Sequence, residues 1–438
     1  MRALTIRLYF LLLIVVVNSG VISVGLVQIA DELLLLLSIG IIWLGAMRPK
    51  LSKLNLISLR KFRRVTLIYA FYVFLISIAS PFSLNPLLST AQAFINIKFV
   101  LISLAGLLVS SDPSAVRYVR VLFKVTVVLF SIGLGFNLVI GESWNLFFAP
   151  NDEVLYRFNL IRPVGWFGHP SQNGYFLGLF GATVVLLWSL SRKTNRLNLT
   201  RAFWVFFLLN ISVTVLINVR KALFALIFFA VAATERLGNF RRSLLLVFLA
   251  LSAAVVGYFA KDTAFVAETL NDISNMMHND NDDYIRGLMV FNGLRLFLEF
   301  FPFGVGGGTF GTVLSQFNTM SVYEYVGLNM AVIYTDGGKL GGVYDSGMFS
   351  MMAENGFVGM ILLLLVVVQF YKSAGAMMPF AAFPILKILT GYAVLLSFTE
   401  PAWQNGLFSA FFAINIAYVA SCMRVIDSRR CVKVEALT

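Results

Sequence analysis

The chain has 438 residues, of which 59% are hydrophobic and 13% charged, with a mean hydropathy of +0.85. A soluble domain is about 45–50% apolar with about a quarter of its residues charged, and 42 Phe are more than such a domain could bury. A water-soluble fold is excluded, and a multi-spanning membrane protein is expected. The net charge of +13 does not indicate nucleic acid. Lys and Arg concentrate in short loops between apolar runs, where they set membrane orientation.

In chain order, apolar runs near 20 residues predict spans at 8–27, 33–47, 65–81, 93–109, 121–140, 174–190, 203–219, 222–233, 243–260, 348–370, 383–398 and 406–422. The first follows Arg2 and Arg7 without a small-residue cleavage site and is read as a retained span. The expected fold class is therefore all-α: a polytopic protein of about twelve transmembrane helices with one long loop between helices 9 and 10. Residues 1–260 carry spans 1–9, residues 261–347 form the loop, and residues 348–438 carry spans 10–12 and a tail. The loop at 48–64 holds seven Lys or Arg and no acid. With the N-terminus inside, the strongly basic loops after spans 2, 6, 8 and 12 all fall inside. Two polar loops, 141–173 and 261–347, then fall outside. Cys422 and Cys431, the only cysteines, lie at the inner C-terminal end, so no disulfide framework is expected.

Several polar residues depart from this plain pattern. Arg220-Lys221 interrupts two apolar runs at the outer side. Such a charge either snorkels to lipid phosphate or faces the bundle and holds an anion. Arg286 opens a predicted helix over 285–301, on which Asn292, Arg295 and Glu299 share one face and Arg286 lies opposite. It marks either a frayed start or a cation awaiting an anionic partner. Gly304 to Gly311 is neither a P-loop nor a dinucleotide fingerprint. It predicts a tight turn, or an N–H nest for an anion. The acidic run from His278 to Asp283 lacks the glycine and final glutamate of an EF-hand and reads as a solvated loop. With two His in the chain, His169 among them, and no outer Cys, no zinc site is expected. Glu354 begins a span and is expected to pair with an arginine.

Four segments together resemble the O-antigen ligase and polymerase superfamily, the Wzy-type polymerases and their ligase relatives. They are Arg162-Pro163-Val164-Gly165 with His169-Pro170 and Asn173-Gly174; Asn218-Val219-Arg220-Lys221-Ala222-Leu223; Arg286 with Pro302, Gly304-Val305-Gly306 and Thr309-Phe310; and Tyr344-Asp345-Ser346 with Ala353-Glu354-Asn355-Gly356-Phe357-Val358-Gly359. The resemblance covers roughly residues 140 to 370, and the N-terminal third adds only hydropathy. It implies a metal-independent, cofactor-free glycosyltransferase acting on sugars carried by undecaprenyl diphosphate. The enzyme would work at the outer face of the bacterial inner membrane, with both termini cytoplasmic. Arg220 and Arg286 would hold the diphosphate, with Arg162 and His169 completing the substrate-binding set. Guanidinium forks suit phosphate oxygens and charge developing on a leaving diphosphate.

An acceptor hydroxyl attacking an anomeric carbon must lose a proton. Asp345 is the expected base, with His169 and Asp336 as rivals. Ligases resemble one another in a His just before the Ala-Glu-x-Gly segment, where this chain has Asp345-Ser346, so the resemblance leans to polymerase. The implied partners are a lipid-linked oligosaccharide, membrane lipid and a chain-length regulator, not nucleic acid. Two alternatives stay open. One is a ligase moving glycan to a lipid A core. The other is a twelve-helix transporter, for which Asn96 and Lys98 are the main mid-span polar residues.

Overall fold

The computed structural model describes residues 2–19, 29–44, 53–148, 156–157, 160–161, 163–167, 170–184, 187, 285–328, 334–335, 339–340, 347–398 and 400–435. They are helical almost throughout. The early helices are α1 (Arg2–Val17), α2 (Ala30–Leu44), α3 (Lys53–Ala79), α4 (Pro86–Asn96), α5 (Lys98–Ser110), α6 (Ala115–Ile140) and α7 (Glu142–Phe148). Then come α8 (Pro170–Phe176), which runs into a π turn at Leu177–Gly181, α9 (Ile285–Glu299), α10 (Ser315–Asn318) and α11 (Ser321–Tyr325). The last three are α12 (Gly347–Met377), α13 (Phe383–Leu396) and α14 (Gly406–Glu435). The only extended pairing among the described residues is two short antiparallel ladders, Tyr156–Arg157 with Leu160–Ile161 and Tyr334–Thr335 with Lys339–Leu340.

Four helical stretches among the described residues are long and apolar enough to cross a membrane: Leu56–Ala79, Ala115–Ile140, Gly347–Met377 and Gly406–Arg424. A fifth is added if α4 and α5, bent by 57°, count as one span. The spans expected at 203–219, 222–233 and 243–260 lie outside the described residues.

The bundle is built around α5 and α14. Every residue of α5 is buried, and so is 89% of the apolar window of α14. They approach closely through small residues: a Cβ on Gly106 would lie 3.6 Å from the Cβ of Ala413 and 2.9 Å from the Tyr9 hydroxyl. That hydroxyl donates to Ile102 O at 2.7 Å. Phe123 of α6 stacks on Tyr418 of α14 at 3.8 Å. The outer helices leave long apolar stripes bare, among them Phe71, Leu75 and Ile78 on α3, Val128, Ile132 and Phe136 on α6, and Ile361 and Leu364 on α12. Contiguous apolar surface of this kind suits hydrocarbon rather than water.

Several predicted boundaries are corrected. α3 begins at Lys53, not 65, because Leu59 and Phe62 turn inward and carry Arg60, Lys61, Arg63 and Arg64 on an amphipathic first half. α6 begins at Ala115, and α14 continues as helix to Glu435, where a tail was expected. The span at 93–109 is a broken helix. Asn85 caps α4 by accepting from Leu87 N and Leu88 N, and the chain turns at Ile97 (φ −114°, ψ 17°) before α5. The 141–173 loop contains α7.

The two ends of the bundle differ. At one, Ser373 of α12 donates to Ser58 O of α3, and Arg424 of α14 donates to Ser110 O at the end of α5 and to Met377 O at the end of α12. Arg60, Lys61, Arg63, Arg64, Arg117, Arg120 and Lys372 lie on the helix turns near this end. The opposite end gathers hydrogen-bonded loops and buried polar side chains.

Candidate functional site

The site lies at the polar end and starts from a defect in α12. Gly356 sits inside this helix at φ 61°, ψ −169°. In an unbroken helix each carbonyl accepts from the amide four residues on. The break frees the carbonyls of Ala353, Glu354 and Asn355, and the 302–312 segment supplies most of the missing donors. Val305 N donates to Ala353 O and Gly306 N to Glu354 O, both at 3.0 Å. Tyr72 of α3 donates to Asn355 O at 3.0 Å. In return Val358 N donates to Pro302 O at 3.2 Å. The backbones come so close that a Cβ on Gly356 would stand 2.4 Å from the Phe303 carbonyl carbon, and one on Gly304 2.5 Å from Gly356 N.

The same loop then wraps the Glu354 side chain, which is fully buried. Its Oε1 accepts from Thr309 N at 2.8 Å, Phe310 N at 3.0 Å and the Thr312 hydroxyl at 2.5 Å. Its Oε2 has no hydrogen-bond partner among the described residues. The glycine run is thus both the turn and the N–H nest that the sequence allowed, and the group it holds is the protein's own Glu354 carboxyl. The expectation that Glu354 pairs with an arginine is corrected: its donors are loop amides and a threonine, because the broken helix seats the loop directly over it.

The loop's other face rests on the α3–α4 hairpin. Gly307 N donates to Ser77 Oγ at 3.2 Å, and the Ser80 hydroxyl donates to Val305 O. Asn318 accepts from Leu84 N and Asn85 N and donates to Ser89 Oγ. Leu314 N donates to Gln92 Oε1 at 3.0 Å. From there a buried side-chain network runs inward. Gln92 Nε2 and Gln404 Nε2 both donate to Asn96 Oδ1, at 2.8 and 2.9 Å. Asn96 Nδ2 donates to Tyr69 Oη at 3.3 Å, and Tyr69 faces Asn355 Oδ1 at 3.5 Å. Beside the helix break, the buried Lys98 ammonium lies 2.7 Å from Asp31 Oδ2 and 3.8 Å from Glu32 Oε1. Asp31 in turn fits against Gly406, where a Cβ would meet Asp31 Oδ2 at 2.4 Å. Met348 N donates to Ser397 O at 2.8 Å, and Tyr175 donates to Glu400 Oε2 at 2.5 Å, so the start of α12 and the end of α8 meet the same 397–406 segment.

The segment from Pro163 to Asn173 is pinned at this end as well. Gly165 N donates to Asn137 Oδ1 at 2.7 Å, Trp144 Nε1 to Gly165 O at 2.7 Å, and Asn173 Nδ2 to Pro163 O at 2.9 Å. Of the candidate residues, Arg286 is the second residue of α9, a helix that packs on α12 with Gly293 against Phe349. Arg162, His169, Arg220, Asp336 and Asp345 lie outside the described residues, as does the acidic run 278–283. Asp345 falls two positions before the start of α12.

The face predicted for α9 is corrected in part. Asn292 is buried with Met289 and Leu296, while Arg295 and Glu299 stay exposed and pair at 3.5 Å. Packing on α12 splits what the helical wheel joined. Tyr325 donates to Glu299, and this hydrogen bond holds its phenol above the usual range. Among the described residues no three His, Cys, Asp or Glu side chains gather as a metal site.

Sequence reasoning missed Tyr69, Gln92, Gln404 and Glu400, and it missed the pairing of Lys98 with Asp31. That pairing had a signal: a lysine inside an apolar run needs an anion, and Asp31-Glu32 precedes the next apolar run. No family model, curated protein or solved structure matches the chain.

Proposed function

We propose that the chain is a polysaccharide polymerase. It would transfer a growing glycan from undecaprenyl diphosphate to the sugar of a fresh lipid-linked repeat unit, at the outer face of a bacterial inner membrane. In each step an acceptor hydroxyl oxygen bonds to the anomeric carbon. The bond from that carbon to the diphosphate breaks, and the hydroxyl proton passes to Asp345. Arg220 and Arg286 bind the departing diphosphate, with Arg162 and His169 beside the substrate.

One observation carries this reading. Two of the four family-like segments, far apart in sequence, interlock: the 302–312 loop closes the break at Gly356 and encloses Glu354. The loop follows directly from α9, whose second residue is Arg286, and the helix it mends begins just after Asp345. A rigid polar platform at the end opposite the basic residues is where surface chemistry on a lipid-borne sugar would be built. The basic end supports the inside-facing assignment of the termini. The test is elongation of a lipid-linked repeat unit by the purified protein. A ladder of products is expected from the wild type and none from folded Arg220→Ala or Arg286→Ala. Normal ladders from these variants refute the assigned roles. Transfer to a lipid A core without elongation would favour the ligase alternative.

The helix broken at Ile97, flanked by Asn96 and the paired Lys98, favours a second reading as an ion-coupled transporter. Uptake into proteoliposomes that form no glycan product would decide for it.

A further inference from the structure

At the basic end, on the face shared by α1 and α6, lies a cavity of about 400 Å³, within the range of small-molecule sites. Phe10, Ile14 and Val17 form one wall, and Val121, Val125 and Leu129 the other. Val121 and Val125 are about half exposed, so the cavity is an open groove on the outside of the bundle. Three uncharged polar side chains line it: Tyr118, beside Arg117 at the mouth with its ring stacked on Phe10, and deeper in, Asn18 and Thr126, both already hydrogen-bonded. Asn18 donates to Ile14 O at 2.7 Å and accepts from Trp166 Nε1 at 2.9 Å, and Thr126 donates to Leu122 O at 2.9 Å. Below Tyr118 the walls are apolar and suit hydrocarbon better than a sugar or nucleotide.

The mouth is different. Arg117 lines it and is exposed. Arg7, also exposed, stands three residues before Phe10 and seven before Ile14 on the same stripe of α1. Two guanidinium groups at one end of an apolar corridor complement a phosphate with a hydrocarbon tail. From Arg117 to Leu129 the corridor follows twelve helical residues, about 18 Å, close to the roughly 15 Å depth of one leaflet.

We propose that this groove binds one acyl chain of an anionic phospholipid, with the phosphate on Arg117 and Arg7. Its mouth is at the opposite end of the bundle from the glycine loop, so it is separate from the glycan site and independent of that reading.

The test is native mass spectrometry of the full chain in detergent, titrated with phosphatidylglycerol or phosphatidylcholine of matched chains. The wild type should retain one phosphatidylglycerol about tenfold more tightly than phosphatidylcholine. Arg7→Ala with Arg117→Ala should bring the two lipids to parity, while Arg117→Lys alone should keep most of the preference. Val125→Trp, at a half-exposed wall position where bulk does not disturb the core, should abolish retention of both lipids at this site. The proposal is overturned if the wild type holds both lipids equally, if the double variant or Val125→Trp retains phosphatidylglycerol as before, or if a polyprenyl phosphate displaces it.

Discussion

The Glu354 carboxylate and the Thr309 amide meet at 2.8 Å across 45 residues of sequence, and their contact locks the glycine loop into the broken helix. Removing the carboxylate strands two loop amides and a threonine hydroxyl in a buried setting. Each unsatisfied buried donor costs about 1–3 kcal/mol. Glu354→Ala should destabilise the protein by about 3 kcal/mol or more. Glu354→Gln keeps an acceptor oxygen and should cost about half as much. Thermal unfolding in detergent, with protease cleavage inside 302–312 as a local probe, checks both. Equal melting of Glu354→Ala and wild type would show that the loop is held by its backbone bonds alone.

Gly356 and Gly40 give a matched contrast. At Gly356 a Cβ would stand 2.4 Å from backbone, at φ 61°, and at Gly40 it would meet nothing within 4 Å. Gly356→Ala adds left-handed strain of about 1–3 kcal/mol to a clash that only backbone movement relieves, so loss of the folded protein is expected. Gly40→Ala lies in a helix interior and should gain about 0.5–1 kcal/mol. Expression yield and melting temperature of the pair are the readout.

How much of this was legible follows from particular residues. The apolar runs located α6, α12, α13 and α14 because a helix that faces lipid or fills the centre of the bundle needs a sustained apolar run and little else. The start of α3 was missed because Arg60, Lys61, Arg63 and Arg64 hide an inward Leu59 and Phe62. The break at Ile97 left no mark, since neither Pro nor Gly signals it and its cause is tertiary. Asn96 and Lys98 find partners on α3, on α2 and in the segment just before α14. At the site, the glycine run announced available N–H groups, and Glu354 announced a charge that needed donors. Nothing local said that the two would be each other's partners, because backbone amides carry no residue identity.

Lys98 and Asp31 should behave as a coupled pair. Breaking a fully buried ion pair costs about 3–5 kcal/mol. Asp31 keeps 24% of its side chain exposed and can rehydrate in part, so Lys98→Met should cost about 2–3 kcal/mol. Lys98→Met with Asp31→Asn should be less destabilised than the sum of the singles, with a coupling of at least about 1 kcal/mol. Additive melting shifts would mean that the contact carries no stability. A folded Lys98→Met protein that still elongates glycan would also weigh against the transporter reading.

Arg286 and Asp345 should separate in kinetics from Glu354. If Arg286 stabilises charge on the departing diphosphate, Arg286→Ala should lower the elongation rate by about 10²–10³ with little change in melting, because the residue sits at the start of α9 rather than in its packed middle. Arg286→Lys should restore only part of the rate, since an ammonium cannot grip two phosphate oxygens as a guanidinium fork does. If Asp345 accepts the proton, Asp345→Asn should lower the rate by about 10²–10⁴ while the lipid-linked substrate still binds. Glu354→Gln is different in kind. It should lower stability and rate together, and conditions that restabilise the fold should recover the rate. Single-turnover elongation measured beside melting for all four variants tests the assignment. An Asp345→Asn enzyme at full rate would move the base elsewhere, with His169 and Asp336 next in line, and an Arg286→Ala enzyme at full rate would remove α9 from the diphosphate site.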